Sequence, residues 1–357
     1  MAMLEEFRER LREATANQQP LRFRGGGTKD WYGGPLTGDV LQTAGYAGVV
    51  DYEPSELVIT ARCGTRLADI EALLAQHGQM LAFEPPRFGA ASTIGGVVAA
   101  GLSGPRRMAA GSVRDFVLGA KLVNGAGDVL NFGGQVMKNV AGYDVSRLLA
   151  GSMGTLGLIA EVSLKVLPLP VREATLHMPL DEIAALRALN EWGGQPLPLS
   201  ASCWHGGVLS VRLSGAESAV AAAIGTLGVQ AAVMPERDAQ ALWSSLRDHT
   251  HAFFDTPHLW RLAVPPHASA IILKGESLIE WGGGQRWLRA DAVRAGDIRR
   301  TVAASGGHAT LFRTADKSVP AFHPKAPALA LLNRRVKQAF DPAGIFNPGR
   351  LGEPHAN

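Results

Sequence analysis

Glycine is what most constrains this chain. Four glycine-rich segments fall within its first 160 residues: Arg24-Gly-Gly-Gly-Thr-Lys-Asp30, Phe88-Gly-Ala-Ala-Ser-Thr-Ile-Gly-Gly-Val-Val-Ala-Ala-Gly101, Gly111-Ser-Val-Arg-Asp115 and Gly151-Ser-Met-Gly-Thr-Leu-Gly157. There are 42 glycines in 357 residues and no Gly-X-Y period. They mark places where backbone turns sharply or lies close to something. Consecutive glycines let backbone N–H groups converge on one point, and such nests hold anions, phosphate above all. A single cluster reads equally well as a turn. Four in one region, with Ser or Thr beside glycine, favour a large phosphorylated cofactor spread along several loops. The cofactor is not a nicotinamide read by G-x-G-x-x-G, because Asp30 stands where the third glycine belongs. No G-x-x-x-x-G-K-[ST] occurs either, so an ATP-type P-loop is absent.

The remaining pattern is mixed α and β. Leu158–Leu167 is the clearest strand, with Leu158, Ala160, Val162, Leu164 and Val166 on one face and Glu161, Ser163 and Lys165 on the other. Pro168 and Pro170 end it and mark a boundary. Thr65 is placed as the N-cap of a helix reaching about Gln76, with Gly78 as its stop. Beyond residue 170, helix patterns recur near 181–192, 217–227, 236–248 and 291–305. Strand patterns recur near 171–178, 199–213, 259–264, 269–282 and 308–313. Without strict βαβ alternation, this reads as an α+β cap on an antiparallel sheet. The expected division is 1–170, 171–322, and a segment 323–357 that carries a helix over Ala328–Phe340.

Composition closes off other classes. The charge balance is +3, too small to argue for nucleic acid as a main partner. Two cysteines, Cys63 and Cys203, with no C-x-x-C, supply neither a disulfide framework nor an iron–sulfur or zinc site. No metal site is expected. No run approaches the roughly 20 apolar residues of a transmembrane segment. The N-terminal stretch is charged and helical in pattern, with Leu4, Phe7 and Leu11 on one face and no apolar core of a signal peptide. A cytoplasmic location is expected, or a peripheral one at the inner membrane through partner subunits.

The order of motifs carries a resemblance. Arg24-Gly-Gly-Gly-Thr, Thr93-Ile-Gly-Gly, Val140-Ala-Gly-Tyr-Asp144 leading into Gly151-Ser-Met-Gly-Thr-Leu-Gly157, and Asp341-Pro-Ala-Gly-Ile-Phe-Asn-Pro-Gly resemble the FAD-binding domain of the vanillyl-alcohol-oxidase and p-cresol-methylhydroxylase (PCMH-type) superfamily. Phe83-Glu-Pro-Pro86, Gln135-Val-Met-Lys-Asn-Val-Ala-Gly-Tyr-Asp144 and the short middle domain are most similar to the FAD-binding subunits of glycolate oxidases. The resemblance covers roughly residues 20–170 and 325–352. It implies a two-subdomain FAD-binding domain followed by a smaller cap, and FAD as cofactor. Gly25, Gly26, Gly27 and Thr28 would form the pyrophosphate loop. Ser92 and Thr93 would add hydroxyl contacts, and Gly95 and Gly96 would pass close to the flavin. Gly111, Ser112, Gly154 and Ile159 would line the rest of the channel, and Asn347 would return near the ring. The implied partners are a larger FAD-containing subunit and an iron–sulfur subunit, and the implied substrate is a small 2-hydroxy acid.

Two departures sharpen the expectation. Thr28 and Lys29 stand where relatives that tether FAD covalently carry a histidine, so noncovalent FAD is expected. Cys63 is placed between a strand and a helix, away from the flavin-facing motifs. The His-x-Gly-Asp-Gly-Asn-x-His segment of superfamily members that oxidise 2-hydroxy acids is missing; His205-Gly-Gly207 is the nearest fragment. His249 and His251, two apart, would diverge on a helix. Arg261, Arg286, Arg289 and Arg313 could hold a carboxylate, but no base is evident, so partner subunits are expected to complete the chemistry. Their contact is expected on the middle domain, where Trp243, Phe253, Phe254, Trp281 and Trp287 exceed what a small cap needs, with core packing the alternative for each.

Overall fold

The computed structural model describes residues 2–134, 144–227 and 231–352, so most of the Gln135–Asp144 motif lies outside the described residues. The first lobe is built on a five-stranded antiparallel sheet, in the order Val49–Glu53, Val58–Arg62, Leu158–Lys165, Val117–Val123, Val129–Gly133. Leu158–Lys165 is the middle strand, and both of its faces are covered. The alternation read from the sequence breaks there. Pairing with Val117–Val123 shifts so that Lys121 faces Glu161 and Leu122 faces Ile159, which skips Ala160. This bulge turns the side chains over. Leu158 and Ala160 pack with Phe7 and Leu11 of the N-terminal helix Ala2–Ala16, whereas Ile159, Val162 and Leu164 join the core under the helix Leu67–Gln76. Glu161 and Ser163 are buried on the sheet rather than solvated. Glu161 pairs with Lys121 at 2.7 Å, and Ser163 shares a 2.8 Å hydrogen bond with Thr60.

Thr65 does not cap the helix that follows it. Its buried hydroxyl accepts from Gly48 N and donates to Arg62 O, while Arg66 occupies the N-cap position. Gly78 does end that element, at φ +63°.

The cap is an eight-stranded antiparallel sheet: Ala232–Val233, Arg172–Pro179, Val208–Gly215, Leu199–His205, Glu276–Glu280, Gln285–Arg289, Leu259–Ala263, His308–Arg313. The stretch 199–213 is two strands joined at Gly206-Gly207, and Gln285–Arg289 is a strand the sequence pattern did not reveal. Helices Glu182–Gly193, Glu217–Leu227, Glu236–Asp248 and Ala295–Ala304 match the four expected patterns. Among the described residues no helix is long and apolar enough to cross a membrane.

The two lobes share one core. Tyr32, Leu102 and Met153 of the first lobe pack with Trp243, Phe253, Phe254, Trp287 and Phe312 of the cap. Beside it runs a buried charge network: Glu84 accepts from Arg106 N at 2.8 Å and forms an ion pair with Arg212 at 2.8 Å, and Arg106 also contacts Glu173. Each charge is compensated, so the network holds one cap orientation instead of exposing an unpaired ion to the interior.

After the helix Pro327–Phe340, the chain returns to the first lobe. Asp341 accepts from Ile345 N and Phe346 N, and the turn so formed places Phe346 beside Leu21, with Leu21 N donating to Ile345 O and Asn347 N to Leu21 O.

Candidate functional site

Where the strand Leu21–Arg24 ends, Gly25, Gly26 and Gly27 lead the chain along one wall of a cleft. The loop exists because of what lies behind it. A Cβ at Gly26 would overlap the Ala91 carbonyl oxygen, and one at Gly25 would overlap the Thr93 hydroxyl. Gly27 has φ +70°, a left-handed conformation that glycine adopts without strain. Arg24 and Asp30 close the loop with a 2.8 Å ion pair. So the first two glycines are required by close packing on the second glycine segment, and the backbone edge is thereby left toward the cleft.

Most residues inferred from the sequence meet here. Gly25, Gly26, Gly27, Thr28, Thr93, Gly95, Gly96, Gly154, Ile159 and Asn347 all line this one cleft. Ser92 lies just behind it, buried, with its hydroxyl accepting from Lys29 Nζ at 3.0 Å. Asn347 accepts from Phe23 N at 2.8 Å and donates to Met153 O, and Gly154, at φ +71°, leaves room for its amide. The C-terminal segment thus stitches two walls together.

Gly111 and Ser112 are elsewhere. They line a second cavity with no lining residue in common with the first. Ser112 is committed to a capping box: its amide and hydroxyl both donate to Asp115 Oδ2 at 2.8 Å, starting the short helix Val113–Phe116. Cys63 corrects the opposite way. It lines the cleft, where a Cβ at Gly95 would lie 2.6 Å from its own Cβ. Burial pushes its thiol up to about 12, so it carries no thiolate to attack a flavin.

The electrostatics of the cleft are those of an anion site. Its charged lining is Arg22, Arg24, Lys29 and Arg350 against one carboxylate, Asp30, which Arg24 already pairs. Lys29 is drawn down to about 8 by burial, partly offset by Asp248. Arg350 is buried, donates to Gly34 O at 2.6 Å, and is also lowered by burial. Sequence reasoning missed both cations, although Lys29 adjoins Thr28 and Arg350 follows the Asn347-Pro-Gly turn directly. A glycine-edged, cation-rich cleft with few competing carboxylates fits a dinucleotide carrying a pyrophosphate.

On the cap side, aromatic rings fill the space. Trp31 donates to Thr28 O at 3.0 Å and packs edge-on against Phe88 and Phe312, with ring centroids 5.1 and 5.2 Å away. Tyr32, Trp287 and Phe254 extend this wall. The five aromatic residues assigned to a partner surface are all buried: Trp243, Phe253, Phe254 and Trp287 in the core shared between the lobes, and Trp281 under Arg107 with its indole N–H donating to Gly104 O. His249 is not on a helix beside His251. It ends Glu236–Asp248 in the left-handed conformation, stacks on Phe254 at 4.0 Å, and is held well below the ordinary imidazole range by burial and by Arg313 and Arg261. Arg286 donates to three backbone carbonyls, Arg289 pairs with Glu276, and Arg313 donates to Phe254 O. Of the four arginines, Arg261 makes no hydrogen bond or ion pair among the described residues and lies over Phe312 at 5.6 Å.

Residues 2–133 match the family model described as a FAD binding domain. Along 344 residues the chain is 45% identical to glycolate oxidase subunit GlcE of Escherichia coli, covering 96% of this chain and 95% of that protein. The chain belongs to the GlcE family of glycolate oxidase subunits. Glycolate oxidase subunit GlcD of Bacillus subtilis is 34% identical over 128 residues, 36% of this chain and 27% of GlcD. Among solved structures, alkyldihydroxyacetonephosphate synthase superposes with a TM-score of 0.68 at 15% identity, covering 96% of this chain and 75% of that one. This last likeness establishes the PCMH-type fold alone. As a GlcE-family chain with a FAD-binding domain, the molecule is a FAD-dependent oxidoreductase subunit.

Proposed function

We propose that this chain is the FAD-binding subunit of a glycolate oxidase complex, in which glycolate is oxidised to glyoxylate and two electrons pass to an iron–sulfur partner. A larger FAD-containing subunit completes the assembly, which works in the cytoplasm, or peripherally at the inner membrane through those partners. The observation that carries this reading is the glycine-edged, cation-rich cleft on which the first, second and fourth glycine segments converge.

FAD bound there would supply a two-electron acceptor. Lys29, Arg350 and the backbone of Gly25, Gly26 and Gly27 would hold its pyrophosphate, while Thr93, Gly95 and Gly96 form the facing wall. Binding is noncovalent, since Thr28 replaces the tethering histidine and the Cys63 thiol is protonated. The described lining holds no histidine, and Asp30 is paired with Arg24. The base for the hydroxyl proton of a 2-hydroxy acid is assigned here to another subunit, and such a base typically contributes ~10²–10⁴-fold.

The test is a steady-state glycolate–dye reductase assay of the FAD-reconstituted chain against the co-expressed three-subunit complex. Negligible turnover by the chain alone is expected; comparable turnover would overturn partner dependence and favour a stand-alone oxidase. Acid precipitation should release all the flavin as free FAD, and colour held in the pellet would refute noncovalent binding.

A further inference from the structure

The second cavity, of about 490 Å³, opens between the lobes and shares no lining residue with the FAD cleft. Arg107, Ser112 and Asp115 line it from the first lobe, and Trp281, His308 and Pro265-Pro266 from the cap. Arg107 is its distinctive group. The guanidinium lies over the Trp281 ring at 4.3 Å and makes no hydrogen bond or ion pair among the described residues. Burial and the neighbouring Arg261 disfavour its charge, and Asp115 in the same lining offsets them in part. Arg261, equally without such a partner, sits on the strand beside His308, where Ala263 faces His308 and Arg261 faces Thr310. Asp115 is the only carboxylate in the lining, and its Oδ2 already accepts twice from Ser112.

A half-buried guanidinium whose N–H groups make no hydrogen bond is costly, and an anion that accepts from them relieves the cost. Contact with the Trp281 ring restrains the guanidinium, and its unbonded N–H groups suit a planar, two-oxygen acceptor. Val264, Pro265, Pro266 and Met108 make the remaining wall apolar, which suits a carbon body and not inorganic phosphate. The His308 ring offers one further donor or acceptor beside it.

We propose that this cavity binds a small organic carboxylate, held by Arg107 against Trp281 and distinct from the FAD cleft. Choosing 2-hydroxy and 2-oxo acids as its occupants rests on the glycolate oxidase reading; the carboxylate site itself rests on Arg107 and its surroundings. Chemistry is not assigned to the cavity.

The experiment titrates the FAD-loaded chain with glycolate, glyoxylate, acetate and inorganic phosphate, following tryptophan fluorescence and heat of binding. Saturable carboxylate binding is expected, weakened at least tenfold in Arg107→Gln and partly retained in Arg107→Lys, with near-UV circular dichroism confirming that both fold. His308→Gln should weaken glycolate and leave acetate unchanged. No saturable binding, binding unaffected by Arg107→Gln, or phosphate bound as tightly as glycolate would overturn the site. Flavin absorbance read in the same samples separates the two proposals: a chain that keeps FAD but binds no carboxylate loses the site and retains the cofactor reading.

Discussion

The cleft of the first lobe and the seam beneath the cap lie side by side, and they solve opposite problems. The cleft is edged by glycine backbone and cations, and it keeps space open. The seam is filled with Trp, Phe and Tyr rings and leaves none. Burial shifts one group in each region in opposite directions. Burial draws Lys29 in the cleft down to about 8 and pushes Glu280 in the seam up to about 7, against the hydrogen bonds that Glu280 accepts from Trp287 and Gln285 at 2.6 and 3.0 Å. An anion entering the cleft would restore the charge on Lys29. The seam has room for nothing that could do the same for Glu280. The first region is shaped for a ligand, and the second for holding two lobes together.

This contrast breaks most visibly at Gly26. Gly26→Val would drive its side chain into the Ala91 carbonyl and push the first loop off the second. Purified protein should lose FAD absorbance almost entirely while near-UV circular dichroism of the cap persists; full occupancy would mean that the loop tolerates displacement and does not shape the site. In the seam, Trp287→Ala removes a buried ring from among His249, Phe254 and Phe312. It should cost about 3–5 kcal/mol in chemical denaturation, with a smaller effect on FAD affinity in whatever fraction stays folded. A loss below about 1 kcal/mol would show that the seam is loosely packed.

Asn347→Ala sits between these cases. It leaves Phe23 N and Met153 O without the partner they now have, at a cost of about 1–3 kcal/mol. Because the residue joins two cleft walls, FAD affinity should fall along with stability, and stability falling alone would argue against its role at the cleft.

The two titrating groups give the smallest and sharpest test. Glu280 binds its proton more tightly folded than unfolded, so stability should fall as pH rises from about 4.5 toward 7. Glu280→Gln should flatten that slope in urea titrations. Lys29 has the opposite consequence for the ligand. Its charge is lost as pH rises through about 8, so FAD affinity should decline several-fold above that pH, and Lys29→Met should abolish the decline. A pH-independent FAD affinity in the parent chain would remove Lys29 from the anion site.

Much of the fold was legible because its signals are local. The four cap helices follow from periodicity, and the return of the Asp341–Asn347 segment is as the family resemblance implies. The reading of Leu158–Lys165 as half-exposed failed because a bulge at Ala160 depends on the neighbouring strand, and strand pairing is not encoded in a single segment. His249 was misread because a left-handed helix end was taken for a continued helix. Trp243 and Trp287 identify themselves as unusual in sequence, but whether a ring covers a partner or a neighbouring lobe depends on what the chain folds against it.

The candidate site divides along the same line. By itself the sequence determined that several glycine segments would present backbone to a phosphorylated cofactor, because the absence of a side chain is a property of each residue alone. Only the tertiary structure decided which segments meet. It brought the first, second and fourth together, sent Gly111 and Ser112 to a different cavity, placed Cys63 in the cleft, and delivered Arg350 from the far end of the chain to a wall formed near its beginning. Charge in a cleft is a sum over elements distant in sequence. Burial, which sets Lys29 and Glu280 apart from their ordinary behaviour, arises only when those elements close around them.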